Sequence, residues 1–135
     1  MTKKEFMAIS LPYDVYVKCG SSINIFEPFE FTAEFTDGSL TFLPVLHPLS
    51  DLTKEIENNG KKFVPLDILL EMYSLNMYQF TNGEIYNTDY ARYIEIEELP
   101  FEAVLKLIEW HFDIASLIEK GEIIDVNILE TNPYK

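Results

Sequence analysis

The segment from Trp110 to Gly121 constrains the fold of this chain more than any other stretch. An amphipathic helix runs up to it, with apolar residues recurring at helical spacing. Asp113 is placed to cap a second, short helix that ends near Lys120, and Gly121 supplies the left-handed residue that stops such a helix. The segment therefore predicts two helices joined at a corner, and it contains no recognisable catalytic pattern.

Elsewhere the sequence predicts antiparallel hairpins. Asp37-Gly38 and Asn82-Gly83 each stand between two strand-like runs, and both dipeptides favour a tight turn in which the central residues take positive φ. Alternating apolar and polar residues predict three further strands, over residues 13–19, 90–97 and 122–128.

Helices are predicted near residues 50–58, 65–73 and 100–120. Ser50 and Asp51 suit a helix start, and Pro65 and Pro100 suit a first helical turn. Asn58-Asn59-Gly60 is interpreted as the end of the first helix. The expected core-facing stripe of the last long helix is Phe101, Val104, Leu105, Ile108 and Phe112.

These elements predict an α+β fold, with an antiparallel sheet built from hairpins and about three helices packed on one face. A length of 135 residues fits a single domain, and neither a linker nor a repeat divides it. We expect one domain over residues 1–135, with frayed ends at about 1–8 and 130–135.

The charge is strongly negative and unevenly distributed. The chain carries 23 acidic and 10 basic residues, a net charge of −13; residues 63–135 hold fourteen of the acids and only four of the bases. Such a surface repels phosphates, which argues against direct binding of nucleic acid or of an anionic membrane. Two interpretations stay open: the acidity attracts a basic protein partner, or, as is more common, it only keeps a small protein soluble.

Composition places the protein in the cytoplasm of a cell. No apolar run reaches the roughly 20 residues that a membrane-spanning helix needs, and the start of the chain lacks the features of a secretory signal. The single cysteine, Cys19, excludes an internal disulfide framework and is interpreted as an ordinary thiol.

The residues offer little chemistry, so we expect no enzyme activity, no cofactor and no metal. No metal-binding, nucleophile or phosphate-binding motif is present. A metal site using His47 and His111 competes with the simpler interpretation that each histidine packs or caps. Glu95, Glu97 and Glu98 resemble paired catalytic carboxylates only by number, and a solvent-facing strand explains them better.

Three neighbouring residues are the candidates for partner binding: Trp110, His111 and Asp113. Trp110, the only tryptophan, lies off the main apolar stripe of its helix. If it protrudes at the corner with His111, it is an anchor for a partner, since tryptophan is enriched in binding hot spots. If Leu107, Trp110 and Ile114 instead widen the apolar stripe, Trp110 belongs to the core.

Two motifs carry a resemblance to a known group of proteins. They are residues 46–53, Leu-His-Pro-Leu-Ser-Asp-Leu-Thr, and residues 111–121, His-Phe-Asp followed by Leu-Ile-Glu-Lys-Gly. Both resemble segments of small proteins encoded by bacteriophages and prophages of Bacteroides-like gut bacteria, over residues 46–57 and 100–128. The chain departs from that group at residues 114–116, Ile-Ala-Ser, where the group often has Tyr-Arg-Gly. The resemblance implies a phage or mobile-element setting and no catalytic residues.

Three functions are consistent with these observations. The preferred one is a small phage or prophage accessory protein that binds a host or phage protein. The second is an acidic mimic that occupies the nucleic-acid-binding surface of a host protein, for example a defence protein. The third is an enzyme whose site no motif reveals, and a pocket holding His47 or His111 within hydrogen-bond reach of a carboxylate would favour it.

Overall fold

The computed structural model describes residues 2–26, 42–81 and 83–135. Three α-helices lie in these ranges: α1, Lys3–Ser10; α2, Pro65–Met72; and α3, Phe101–Glu109. Short 3-10 turns lie between the larger elements, at Leu11–Tyr13, Leu49–Thr53, Ile96–Glu98 and Val126–Ile128. None of the helices in the described ranges is long and apolar enough to cross a membrane.

Nine strands form three sheets within the described residues. The largest has the order β2-β1-β3-β9, and only its β3–β9 pair is parallel. The strands β4 and β5 form a hairpin, and β6, β7 and β8 form an antiparallel meander. Together with the helices they make the α+β fold that the sequence predicts. The bounds are β1, Tyr16–Cys19; β2, Ser22–Ile25; β3, Phe42–Leu46; β4, Ile56–Asn58; β5, Lys61–Phe63; β6, Tyr78–Thr81; β7, Glu84–Asn87; β8, Arg92–Ile94; and β9, Ile124–Asp125.

The hairpin predicted at Asn82-Gly83 is confirmed, because β6 and β7 pair with Thr81 opposite Glu84. Gly83 has the positive φ, +84°, that this turn requires. The hairpin predicted at Asp37-Gly38 lies outside the described residues.

The helix predicted over residues 50–58 is wrong beyond its first turn. Leu49–Thr53 forms a 3-10 turn, and Ile56–Asn58 is a strand paired with Lys61–Phe63. Asn59 and Gly60 have φ values of +52° and +79°, so they form the tight turn of a hairpin instead of stopping a helix.

The helix predicted over residues 100–120 ends early, at Glu109. His111 takes a left-handed φ of +66°, and its carbonyl accepts a hydrogen bond from the backbone of His47 rather than from the next helical turn. Turns replace the second helix. Phe101 is also not a core residue, because 72% of its surface is exposed; Ala103, Leu107 and Ile108 form the buried face of α3.

Buried side chains lie in both segments that the sequence predicts to be frayed. Residues Lys3–Ser10 form a helix, and its side chains Phe6 and Met7 are fully buried in the main core. Near the other end, Tyr134 is buried in a small second cluster with Val45 and Val126. Both termini are held because they carry large side chains that cover the interior.

Candidate functional site

The two motif segments lie side by side, at a place that we call the crossing. His47 and Phe112 form an isolated parallel β-bridge. The backbone nitrogen of His47 donates to the carbonyl of His111 at 2.8 Å, and that of Asp113 donates to the carbonyl of His47 at 2.9 Å. Residues far apart in sequence therefore meet in the interior through their backbones.

At the crossing, His47 and Asp51 form a buried hydrogen-bonded pair. His47 Nδ1 lies 3.2 Å from Asp51 Oδ2, which also accepts a hydrogen bond from Asn127 Nδ2 at 2.8 Å. Burial alone would raise the pKa of Asp51, but the hydrogen bonds from His47 and Asn127 outweigh it and lower that pKa. Asp51 is therefore an ionised acceptor, and we assign the proton between the two side chains to Nδ1 of His47.

This pair has the carboxylate and histidine of a catalytic site but lacks access. The His47 ring stacks on Phe112, with centroids 5.2 Å apart, and its Nε2 atom is buried with no hydrogen-bond partner among the residues that the structure describes. A recess of about 170 Å³ lies beside His47 and Asp51, yet Nε2 is closed off from solvent. Since a general base must reach the proton that it removes, the pair serves here to hold the 3-10 turn Leu49–Thr53 against the crossing.

His111 is also a packing residue. Its Nε2 lies 2.6 Å from the carbonyl of Tyr13, its Nδ1 lies 3.2 Å from Asn58 Oδ1, and its ring stacks on Tyr134. Burial lowers the pKa of His111 to about 4, so the ring is neutral at pH 7. Within the described ranges, no group of three or more His, Cys, Asp or Glu residues is placed to hold a metal ion.

The structure overturns the hypothesis that Trp110 and His111 protrude as an anchor, because both are buried; Asp113, the third candidate for partner binding, is buried as well. Only 6% of Trp110 is exposed; its ring packs 5.0 Å from that of Phe63, and Lys106 Nζ lies 5.7 Å from its centroid. The alternative that Trp110 belongs to the core is therefore correct.

Asp113 caps free backbone N–H groups, as the sequence predicts, although these belong to a turn and not to a helix. Its two carboxylate oxygens accept hydrogen bonds from the backbone nitrogens of Leu117 and Ile118, at 2.9 and 3.0 Å. Gly121, with φ +69°, follows as the left-handed residue.

A cleft of about 480 Å³ opens beside the crossing, and we call it the acidic cleft. Both motifs contribute to it, through residues 48–50 and through Asp113, Ser116, Ile118 and Glu119. The remaining wall comes from residues 83–85 and 93–96, which belong to the meander of β6, β7 and β8 and to the 3-10 turn that follows it. The cleft is thus assembled where the two motif segments meet that sheet.

Gly83 brings the sheet close to the first motif. A Cβ atom at this position would lie 3.3 Å from the backbone nitrogen of Ser50, and φ there is +84°. A larger residue would be strained and would separate the two walls. The close approach therefore fixes the shape of the cleft at this end.

The lining of the acidic cleft is negative. It includes four carboxylates, those of Glu84, Glu95, Asp113 and Glu119, and none of the described lining residues is basic. Three of the four, all but Asp113, are exposed. The field in the cleft therefore favours a cation and disfavours phosphate.

Apolar surface lies among these carboxylates. Ile94 and Ile118 line the cleft, and Tyr93 stands in it with 66% of its surface exposed. The ring of Tyr93 meets that of Tyr86 edge-on, with centroids 5.1 Å apart and an angle of 70° between the planes. An exposed aromatic ring of defined orientation beside carboxylates suits a cationic group that carries a carbon stem.

Glu95 and its neighbours are not arranged as the sequence suggests. The strand ends at Ile94, and Glu95 begins a 3-10 turn in which its side chain and that of Glu98 cap each other's backbone. Glu98 pairs with Arg92, at 2.9 Å between Oε1 and Nη2. Glu95 lines the cleft, whereas the charge of Glu98 is balanced by that of Arg92.

Comparisons with other proteins bring no further information to this site. No protein-family model matches the chain, no curated protein matches it, and no solved structure matches it. The resemblance to phage and prophage proteins stays a prediction from the two motifs.

Proposed function

We propose that the protein binds a basic segment of another protein in the acidic cleft. In this proposal it is a small acidic accessory protein of a phage or prophage, acting in the host cytoplasm on a host or phage protein. The observation that carries the proposal is the lining of the cleft: four carboxylates and no basic residue among the described lining residues, around exposed apolar side chains.

The size and field of the cleft support a peptide-like ligand. Its volume, about 480 Å³, lies within the roughly 300–1,000 Å³ that is usual for ligand pockets. The net charge of −13 extends the attraction beyond the cleft, because the field of the whole protein speeds the encounter with a positive partner. Apolar groups in the cleft then add contact area that charge alone does not provide.

The same field supports a second candidate, an inhibitor that occupies a nucleic-acid-binding surface. Proteins that bind nucleic acid carry basic surfaces, and fourteen of the 23 acidic residues fall in residues 63–135, which provide most of the cleft. Both candidates share a basic partner. They differ in whether the partner loses its nucleic acid when this protein binds.

A direct titration tests the proposal. We would measure binding of a fluorescent Gly/Ser peptide carrying three basic residues, and compare wild type with the variant Glu84→Gln/Glu119→Gln. The matched control is Glu71→Gln/Glu102→Gln, which removes the same charge from exposed residues outside the cleft. At 0.2–1 kcal/mol for each exposed pair, the cleft variant should weaken binding about two- to thirtyfold.

The control variant should bind almost as wild type, and salt should weaken every complex. Equal losses in both variants would mean that net charge attracts the peptide and the cleft does not. No measurable binding of the basic peptide, with the protein folded, would refute the proposal.

A further inference from the structure

We infer that the acidic cleft selects arginine over lysine in its partner, with Tyr93 as the residue that determines this specificity. The inference rests on the proposed function, since it names the side chain that the cleft receives. It follows from the combination of a flat exposed ring, carboxylates and apolar side chains in one cleft.

The ring of Tyr93 provides a surface for a planar cation. It is 66% exposed although its edge-on contact with Tyr86 holds it in place. A guanidinium group stacks flat on an aromatic ring and is more weakly hydrated than an ammonium group, so it loses less when it leaves water. The ring therefore favours arginine.

The carboxylates of the cleft favour the same side chain. Those of Glu84 and Glu119 are exposed and line the cleft with Tyr93, whereas the side chain of Glu95 also caps the backbone of Glu98. A guanidinium group offers two parallel N–H donors to one carboxylate, whereas an ammonium group acts as a point charge. The protein uses this geometry in its own Arg92, whose Nη2 and Nη1 atoms lie 2.9 and 3.3 Å from the two carboxylate oxygens of Glu98.

The apolar part of the cleft contacts the methylene groups of the bound arginine side chain. Ile94 and Ile118 line the cleft with Tyr93. Long basic side chains lay their methylene groups along such surface while the charged end stays at the carboxylates. Arginine thus meets three features of the cleft together: the ring, the carboxylates and the aliphatic side chains.

The test uses three versions of one Gly/Ser peptide, in which the same three positions carry arginine, lysine or neutral citrulline. Each is titrated against wild type, Tyr93→Leu and the matched control Tyr90→Leu. Tyr90 is 71% exposed, comparable to Tyr93, but it does not line the cleft. Circular dichroism of each variant establishes that it is folded.

We expect wild type to bind the arginine peptide more tightly than the lysine peptide and to bind the citrulline peptide least. Tyr93→Leu should weaken binding of the arginine peptide by about two- to fivefold, as expected for an exposed cation–π contact, and should weaken binding of the lysine peptide by less. Tyr90→Leu should change neither.

Equal binding of the arginine and lysine peptides, or a preference for arginine that is as large in Tyr93→Leu as in wild type, would overturn the inference while leaving the proposed function standing. Failure of both cationic peptides to bind would overturn the proposed function itself. The two failures are therefore distinguishable in one set of titrations.

Discussion

His111 and Tyr134 stack face to face, with ring centroids 3.7 Å apart and planes inclined by 12°. This contact ties the end of the chain to the crossing, because His111 belongs to the second motif and bonds to the backbone of His47. The backbone carbonyl of Tyr134 also accepts from Asn59 at 2.6 Å. Tyr134 therefore supports the segments that meet at the crossing.

The hydroxyl of Tyr134 should contribute measurably to stability. Burial raises its pKa, so it stays protonated; it donates to the carbonyl of Val45 at 2.6 Å and accepts from the nitrogen of Tyr16 at 3.0 Å. Tyr134→Phe leaves both backbone groups without this partner and should lower the free energy of unfolding by about 1–3 kcal/mol, measured by urea denaturation. Tyr90→Phe, at an exposed position, is the control, and equal effects of the two substitutions would refute this role.

Truncation of Trp110 should destabilise the protein far more than truncation of Phe101, although both are aromatic residues of the α3 region. Trp110→Ala removes a ring that is 6% exposed and packs on Phe63, and should cost roughly 3–5 kcal/mol. Phe101→Ala, at 72% exposure, should change stability by no more than about 0.5 kcal/mol. Thermal unfolding of the two variants checks both expectations. A Trp110→Ala protein as stable as wild type would contradict the buried position.

Local patterns in the sequence predict several elements because each depends on few residues. Pro65 begins α2 at the predicted place, and β6 and β7 pair on either side of the predicted Asn82-Gly83 turn. Asn59-Gly60 misleads for a physical reason: positive φ serves both the end of a helix and a hairpin turn. Only the pairing of Ile56–Asn58 with Lys61–Phe63 distinguishes the two, and that pairing is a tertiary contact.

The candidate site is harder to predict from sequence. Its lining comes from four separate segments, and periodicity within one segment carries no information on which segments meet. Trp110 is off the apolar stripe of α3 yet buried, because Phe63 from a distant hairpin covers it. Both motifs contribute residues to the lining of the cleft, but those residues include Glu119 and Ser116 and not His111.

Acid should destabilise the protein through His111. Its ordinary pKa of 6.5 falls to about 4 in the folded protein, chiefly because of burial, so between these values the unfolded chain binds more protons. The contribution of His111 to the free energy of unfolding is complete above pH 6.5 and is lost as the pH falls to about 4. At 1.36 kcal/mol for each pKa unit, the total loss is about 3 kcal/mol. Asp51, whose pKa is lowered from 3.8, loses its contribution only at lower pH. The free energy of unfolding, measured by urea denaturation at pH 7.5, 5.5 and 4.5, should fall with pH in wild type as this difference predicts. In His111→Gln it should fall less steeply. An imidazole of His111 that titrates near pH 6.5 by NMR in the folded protein would contradict the prediction.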